Sequence, residues 1–245
     1  MTTDQPHKVI RDDIAYILPM GIFLVFTQVG VSWPAHYVFS YIAKTLIVPV
    51  ALVMCWRYYT KIQWTHLGLG VVVGVVGLVQ WVGMDKLLAI FFQWAHVHGG
   101  GWLDWVPVYG SIGVSGVPTD SFNPFKELPN PYYCWIFIVL RWGCASLVVP
   151  VMEELFWRDF LWRNIIAPAD FKLAQIGERD RNAILFVALL FATVHIQWIT
   201  AIGWGLLIAW LLIRTKSLGA CIVAHGVTNF LLGAYVLYTH DWYFW

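Results

Sequence analysis

Residues 132–158 read YYCWIFIVLRWGCASLVVPVMEELFWR. The first 21 positions, Tyr132–Met152, hold one charge, Arg141, and the next six hold three, Glu153, Glu154 and Arg158. A helix needs about 20 mostly apolar residues to cross the hydrocarbon core of a bilayer. The stretch therefore reads as a membrane span that continues past a kink at Pro150 into a charged extension, Glu153–Ile166.

Runs of the same kind lie on both sides of it. They are Ile14–Ser32, Tyr37–Tyr59 and Leu67–Met84 before it, and Ala183–Ile199, Ile202–Ile213 and Ala220–Tyr238 after it. Leu87–Trp94 reads as an amphipathic half-span. The expected fold is all-α, a polytopic transmembrane helical bundle of six to eight spans. Composition agrees: the 245 residues are 60% hydrophobic and 12% charged, with a mean hydropathy of +0.67. A soluble domain carries about 25% charged residues. Sixteen Trp, eleven Tyr and fifteen Phe suit helix ends anchored at the headgroup level. A net charge of +1 leaves no basic stripe for neutralising phosphates, so nucleic acid is not an expected partner.

Cys55, Cys134, Cys144 and Cys221 lie in or beside apolar runs without CxxC pairing, and read as packing residues rather than disulfides or zinc ligands. Met1–Asp13 is polar and leads into the first apolar run without a small-residue cleavage site, so no removable signal peptide is expected. If the spans alternate, Lys8, Arg11, Arg57, Lys61, Arg158, Arg163, Lys172, Arg179, Arg181, Arg214 and Lys216 share one side, and Lys126 and Lys86 the other. The excess of positive charge places the first set, and the N-terminus, in the cytoplasm. The chain then divides into a cytoplasmic segment, 1–13; N-terminal transmembrane helices, 14–95; an extracytoplasmic loop rich in Trp, Gly and Pro, 96–131; a transmembrane core bearing the polar motifs, 132–239; and a C-terminal tail, 240–245. Gly68, Gly70, Gly74 and Gly77 are spaced to let helices approach closely.

In such a chain the informative residues are the ionisable ones within spans, since each charge at mid-bilayer costs roughly 2.5–3.5 kcal/mol. Glu154 and Arg158 stand four apart and can pair on one helix face, while Glu153 points about 100° away and is free for other work. Phe191-Ala192-Thr193-Val194-His195 sets a His one helical turn beyond a Phe. His225-Gly226-Val227-Thr228-Asn229 puts His and Asn on one face, with Gly226 leaving room beside them. A bundle can point these three sets at one cavity. Lys44 and Arg141 are rival intramembrane charges; Lys44 is read as snorkelling, and Arg141 as snorkelling or pairing with an acid. The convergent set suits amide hydrolysis. A carboxylate can act as general base on water with an imidazole sharing the proton, and a second His with an Asn amide can donate to the tetrahedral oxyanion. No G-x-S-x-G motif or Ser/Cys with a His partner offers a covalent nucleophile.

The order Glu153-Glu154-x-x-x-Arg158, Phe191-x-x-x-His195 and His225-x-x-x-Asn229 on successive hydrophobic helices resembles the CAAX prenyl protease and bacteriocin-processing (CPBP, or type II CAAX protease) family. The resemblance covers about Tyr132 to Tyr238 and makes 132–239 the CPBP-like catalytic core. It implies a glutamate-dependent intramembrane endopeptidase, with Glu153 as base, His195 as its partner, His225 and Asn229 as oxyanion donors, and Glu154 and Arg158 as supporting residues. The substrate it implies is a membrane-associated protein or peptide, prenylated or C-terminally tagged. The N-terminal half is similar in general look to the branch that accompanies exosortase sorting systems, which places the protein in a bacterial inner membrane.

The favoured mechanism needs no cofactor. The alternative is Zn²⁺ held by Glu153, His195 and His225, a His₂Glu set with an open position. Against it stand the absence of H-E-x-x-H and the scarcity of carboxylates to orient the histidines; His96 and His98 form only an isolated pair. Two other function classes remain open. Buried Glu, His and Arg also suit a transporter or proton-coupled carrier, although no internal repeat is visible, and the motifs could persist in a non-catalytic membrane scaffold.

Overall fold

A computed structural model describes residues 5–99 and 121–245. Residues 1–4 of the N-terminal segment, and residues 100–120 of the expected outer loop, lie outside the described residues. The helices are α1 (Gln5–Ser32), α2 (Tyr37–Cys55), α3 (Leu67–His98), α4 (Pro131–Ile166), α5 (Arg181–Thr193), α6 (Trp198–Thr215) and α7 (Leu218–Thr239). Among the described residues, six helices are long and apolar enough to cross a membrane, and α5 is a shorter apolar helix. Leu46, Val53, Met54, Val79, Val139 and Leu147 stand exposed on the outside. Such a surface suits hydrocarbon, where a helix satisfies its own backbone. The protein is an all-helical, multi-pass integral membrane protein.

Three expectations are corrected. Leu87–Trp94 is no separate half-span: no proline interrupts the run, and α3 continues through His98. Ala183–Ile199 is not one helix. α5 ends at Thr193, and residues 194–197 form a break before α6. The cause is local competition for one carbonyl. The His195 Nδ1 lies 2.8 Å from Phe191 O, the carbonyl its own backbone N–H would take in a helix, and that N–H turns to Ala192 O at 3.1 Å. Finally, α4 does not merely bend at Pro150. It opens into wide turns of π type over Cys144–Val148 and Leu155–Leu161, on either side of the segment Val149–Glu154. Proline has no N–H for the carbonyl four residues back and its ring crowds that carbonyl, and a widened turn relieves both.

Glycines let α7 settle against its neighbours. A Cβ at Gly74 would lie 2.6 Å from Val227 Cβ and 2.7 Å from Ala224 O, so α3 and α7 are in backbone contact there, and Thr228 Oγ1 donates to Gly74 O at 2.9 Å. A Cβ at Gly226 would lie 2.8 Å from Ser146 O in the first wide turn of α4. Gly68, grouped with Gly74 by spacing, faces open space.

The two ends of the bundle are held by different groups. At one, Tyr16 Oη donates to Asp159 Oδ2 at 2.8 Å, Arg163 pairs with Asp159 and donates to Ala174 O at 2.8 Å, and Lys172 Nζ lies 2.7 Å from Asp12 Oδ2. At the other, Lys86 Nζ donates to Tyr235 Oη at 2.6 Å and lies 3.5 Å from Asp241. Among the described residues Arg141 pairs with no acid: it donates to Tyr37 Oη and its guanidinium stacks over the rings of Tyr41 and Trp245. The four cysteines are free and buried.

Candidate active site

The wide turns of α4 aim its acids inward. Glu153 is 5% exposed and Glu154 is fully buried. Glu154 Oε1 accepts from Arg158 at 3.2 Å, one helical turn on, and lies 2.9 Å from Nδ1 of His225 on α7. A carboxylate only accepts, so the His225 proton sits on Nδ1 and Nε2 is left for other partners. Glu154 thus does more than pair with Arg158: it joins α4 to α7 and fixes the His225 ring. Glu153, on the adjacent face, carries an Oε2 with no hydrogen-bond partner among the described residues.

His195 enters from the α5–α6 break. Since Phe191 O can only accept, Nδ1 donates to it and Nε2 again remains. The ring lies 4.3 Å from that of Phe191 and 5.6 Å from that of Trp81. Phe191 and Trp204 stack at 5.3 Å. The Arg158 guanidinium packs on both, 4.8 Å and 5.3 Å from the ring centres, and His225 sits 4.6 Å from Trp204. This aromatic pair fixes both imidazoles and covers the Arg158 charge, a favourable desolvated contact for guanidinium.

Asn229, one turn beyond His225, donates one amide N–H to Ala145 O at 2.8 Å, a carbonyl in the first wide turn of α4. The side chain has two such donors, so the second stays available. Gly226 makes this contact possible, because a side chain there would hold α7 off that turn.

Glu153, His195, His225 and Asn229 all line one cavity of about 310 Å³, walled elsewhere by apolar groups such as Met20, Phe23 and Leu232. The structure thus brings the four singled-out residues to one space, with Glu154 and Arg158 behind them. What the cavity can do chemically follows from its inventory: one carboxylate oxygen not otherwise engaged among the described residues, two imidazoles each anchored at Nδ1, and an amide donor. Among the described residues no group of three or more His, Cys, Asp or Glu side chains is arranged to hold a metal ion.

Sequence reasoning assigned neither Trp204 nor Lys44 to the wall. Trp204 gave no signal, being one of many tryptophans. Lys44 does not snorkel: it is 6% exposed and lines the same cavity. A signal existed, because Lys44 lies seven residues into a helix beginning at Tyr37, roughly 10 Å of rise from the nearer end.

Residues 135–231 match a family model described as type II CAAX prenyl endopeptidase Rce1-like. The match runs from within α4 to within α7 and contains Glu153, Glu154, Arg158, His195, His225 and Asn229, while α1, α2 and Lys44 lie outside it. It names no exosortase-associated branch. No curated protein and no solved structure matches the chain significantly.

Proposed function

We propose, from the match of residues 135–231 to the type II CAAX prenyl endopeptidase family model, that the protein is an intramembrane endopeptidase working by glutamate-activated water. The family implies a peptidase; the cavity supplies the means. The observation that carries the proposal is the gathering of Glu153, His195, His225 and Asn229 on one cavity, with a Glu153 oxygen that no other group engages among the described residues.

In this mechanism Glu153 takes a proton from water as its oxygen attacks the scissile carbonyl carbon, and His195 Nε2 accepts a hydrogen bond from the same water. The carbonyl oxygen gains the negative charge and is met by Asn229 Nδ2–H and by His225 Nε2. To donate from Nε2 while Nδ1 is bound to Glu154, His225 carries both ring protons in this step. The C–N bond then breaks, the proton held by Glu153 passes to the departing nitrogen, and a carboxylic acid and an amine leave. The substrate is the end of a membrane-associated protein or peptide, prenylated or otherwise tagged, in a bacterial inner membrane with the Lys172 end of the bundle in the cytoplasm.

Zinc is the second reading, favoured by one observation: both imidazoles are anchored at Nδ1 by an oxygen acceptor, the orientation that metal-binding histidines commonly have. The test is cleavage of membrane-inserted peptides by purified protein in liposomes, with and without a strong chelator. Cleavage untouched by chelator, and reduced roughly 10²–10³-fold in kcat by Asn229→Ala, is the expected result. Loss with chelator and recovery with Zn²⁺ would replace glutamate-only chemistry by the metal reading, and the absence of cleavage of any substrate would count against peptidase activity.

A further inference from the structure

Lys44 is a charged group on the cavity that the peptidase mechanism does not use. It comes from α2, outside the matched span, yet shares the wall with Glu153, Ala145 and Asn229. Its Nζ donates to Thr27 Oγ1 at 3.0 Å and lies 4.4 Å and 4.1 Å from the ring centres of Phe23 and Tyr41. The two ring faces favour a cation at this point. Among the described residues Nζ enters no salt bridge. It lies close enough to Glu153 for a through-space charge interaction. An ammonium has three N–H donors, and the hydroxyl of Thr27 takes one.

Buried charges in membrane helices pair with a partner or mark the path of a ligand. Among the described residues no carboxylate lies within ion-pair distance of Nζ, Glu153 acting on it only through space, and the cation faces the space a substrate would enter. The cavity is small, about 310 Å³, and its other walls include Met20, Phe23, Leu24 and Leu232. Such a space admits a short apolar piece of chain, not a folded segment, and the group of a short peptide end that answers a fixed cation is its terminal carboxylate. We infer that Lys44 is a carboxylate-binding residue, holding the free C-terminus of the substrate on the far side of the scissile bond from the membrane anchor. The inference rests on the peptidase reading for what enters the cavity, but its test needs no turnover.

The probes are acetyl-Leu-Leu-Leu as the free acid, the same tripeptide as its C-terminal amide, and acetyl-Leu-Leu-Glu amide, whose only carboxylate is on a side chain. Binding to the full-length protein in detergent is read by quenching of tryptophan fluorescence, since Trp81, Trp204 and Trp245 line the cavity. The free acid binds wild type roughly tenfold or more tighter than the amide, the scale of a charge-assisted hydrogen bond. The preference disappears in Lys44→Met and survives in Lys44→Arg. Equal binding of acid and amide to wild type would overturn the inference without recourse to any variant, as would a preference that persists in Lys44→Met. Binding of the side-chain acid as tightly as the terminal acid would overturn the assignment to a chain terminus. Tight acid binding without cleavage of any substrate would uphold the subsite and sink the peptidase reading, whereas cleavage with no acid preference would do the reverse.

Discussion

Glu154 is the residue on which the site's order depends. One oxygen serves both Arg158 and His225, so a single buried carboxylate compensates a guanidinium and orients an imidazole on another helix. Removing one partner from a buried ion pair leaves an uncompensated charge, at a cost of about 3–5 kcal/mol. Glu154→Ala is expected to lose stability on that scale, read by chemical denaturation in detergent, and to lose activity even where folded. A folded variant with unchanged stability would show that Arg158 and His225 are held by something else. Tyr16→Phe is a milder case. It removes the hydroxyl that donates to buried Asp159 but leaves Arg163 on the carboxylate, and it should cost about 1–2 kcal/mol.

At the scale of the element, the site owes its shape to departures from regular helix. The first wide turn of α4 comes from Pro150, and the break that frees His195 comes from its own ring taking the Phe191 carbonyl. These departures mark the limit of what the sequence revealed. The spans were legible because length and apolarity alone decide them. The pairing of Glu154 with Arg158, and the separate direction of Glu153, were legible because they need only helical spacing. The break at residues 194–197 was not, since an apolar run reads the same whether or not a side chain competes for a backbone carbonyl. Nor was the role of Lys44, because snorkelling and burial differ only in where neighbouring helices stand. The glycines give a test at this scale. Gly68 and Gly74 look alike in the sequence, yet a side chain at Gly74 meets α7 and one at Gly68 meets nothing. Gly74→Leu should destabilise by about 1–3 kcal/mol and impair the site by displacing His225 and Asn229. Gly68→Leu should stay within about 0.5 kcal/mol of wild type. Equal effects would deny that α3 and α7 meet through Gly74.

The whole molecule is a bundle whose two ends differ in character. The Asp12, Asp159, Arg163 and Lys172 network closes one end, and Lys86, Asp241, Arg141 and Trp245 gather at the other. The bias of Lys and Arg toward the first end predicts that it faces the cytoplasm. Because the native cysteines are buried, single cysteines at the exposed positions Arg179 and His240 can be labelled selectively. A membrane-impermeant maleimide applied to intact cells should label His240→Cys and not Arg179→Cys, and the reverse pattern would invert the topology. The cavity is lined from α1, α2, α3, α4, α5, α6, α7, the α5–α6 break and the C-terminal residues Tyr243, Phe244 and Trp245, so all seven helices bear on its shape.

Whether Glu153 activates water to cut a peptide bond within the membrane is decided by Glu153→Gln. The exchange keeps the size of the side chain and removes its basicity. Reconstituted wild type and variant are compared for cleavage of the same membrane-inserted peptide after equal thermal stability has been verified. Cleavage by wild type with loss of at least roughly 10²-fold in kcat in the variant, within the range a positioned general base supplies, is the predicted result; full cleavage by a folded Glu153→Gln protein would contradict it.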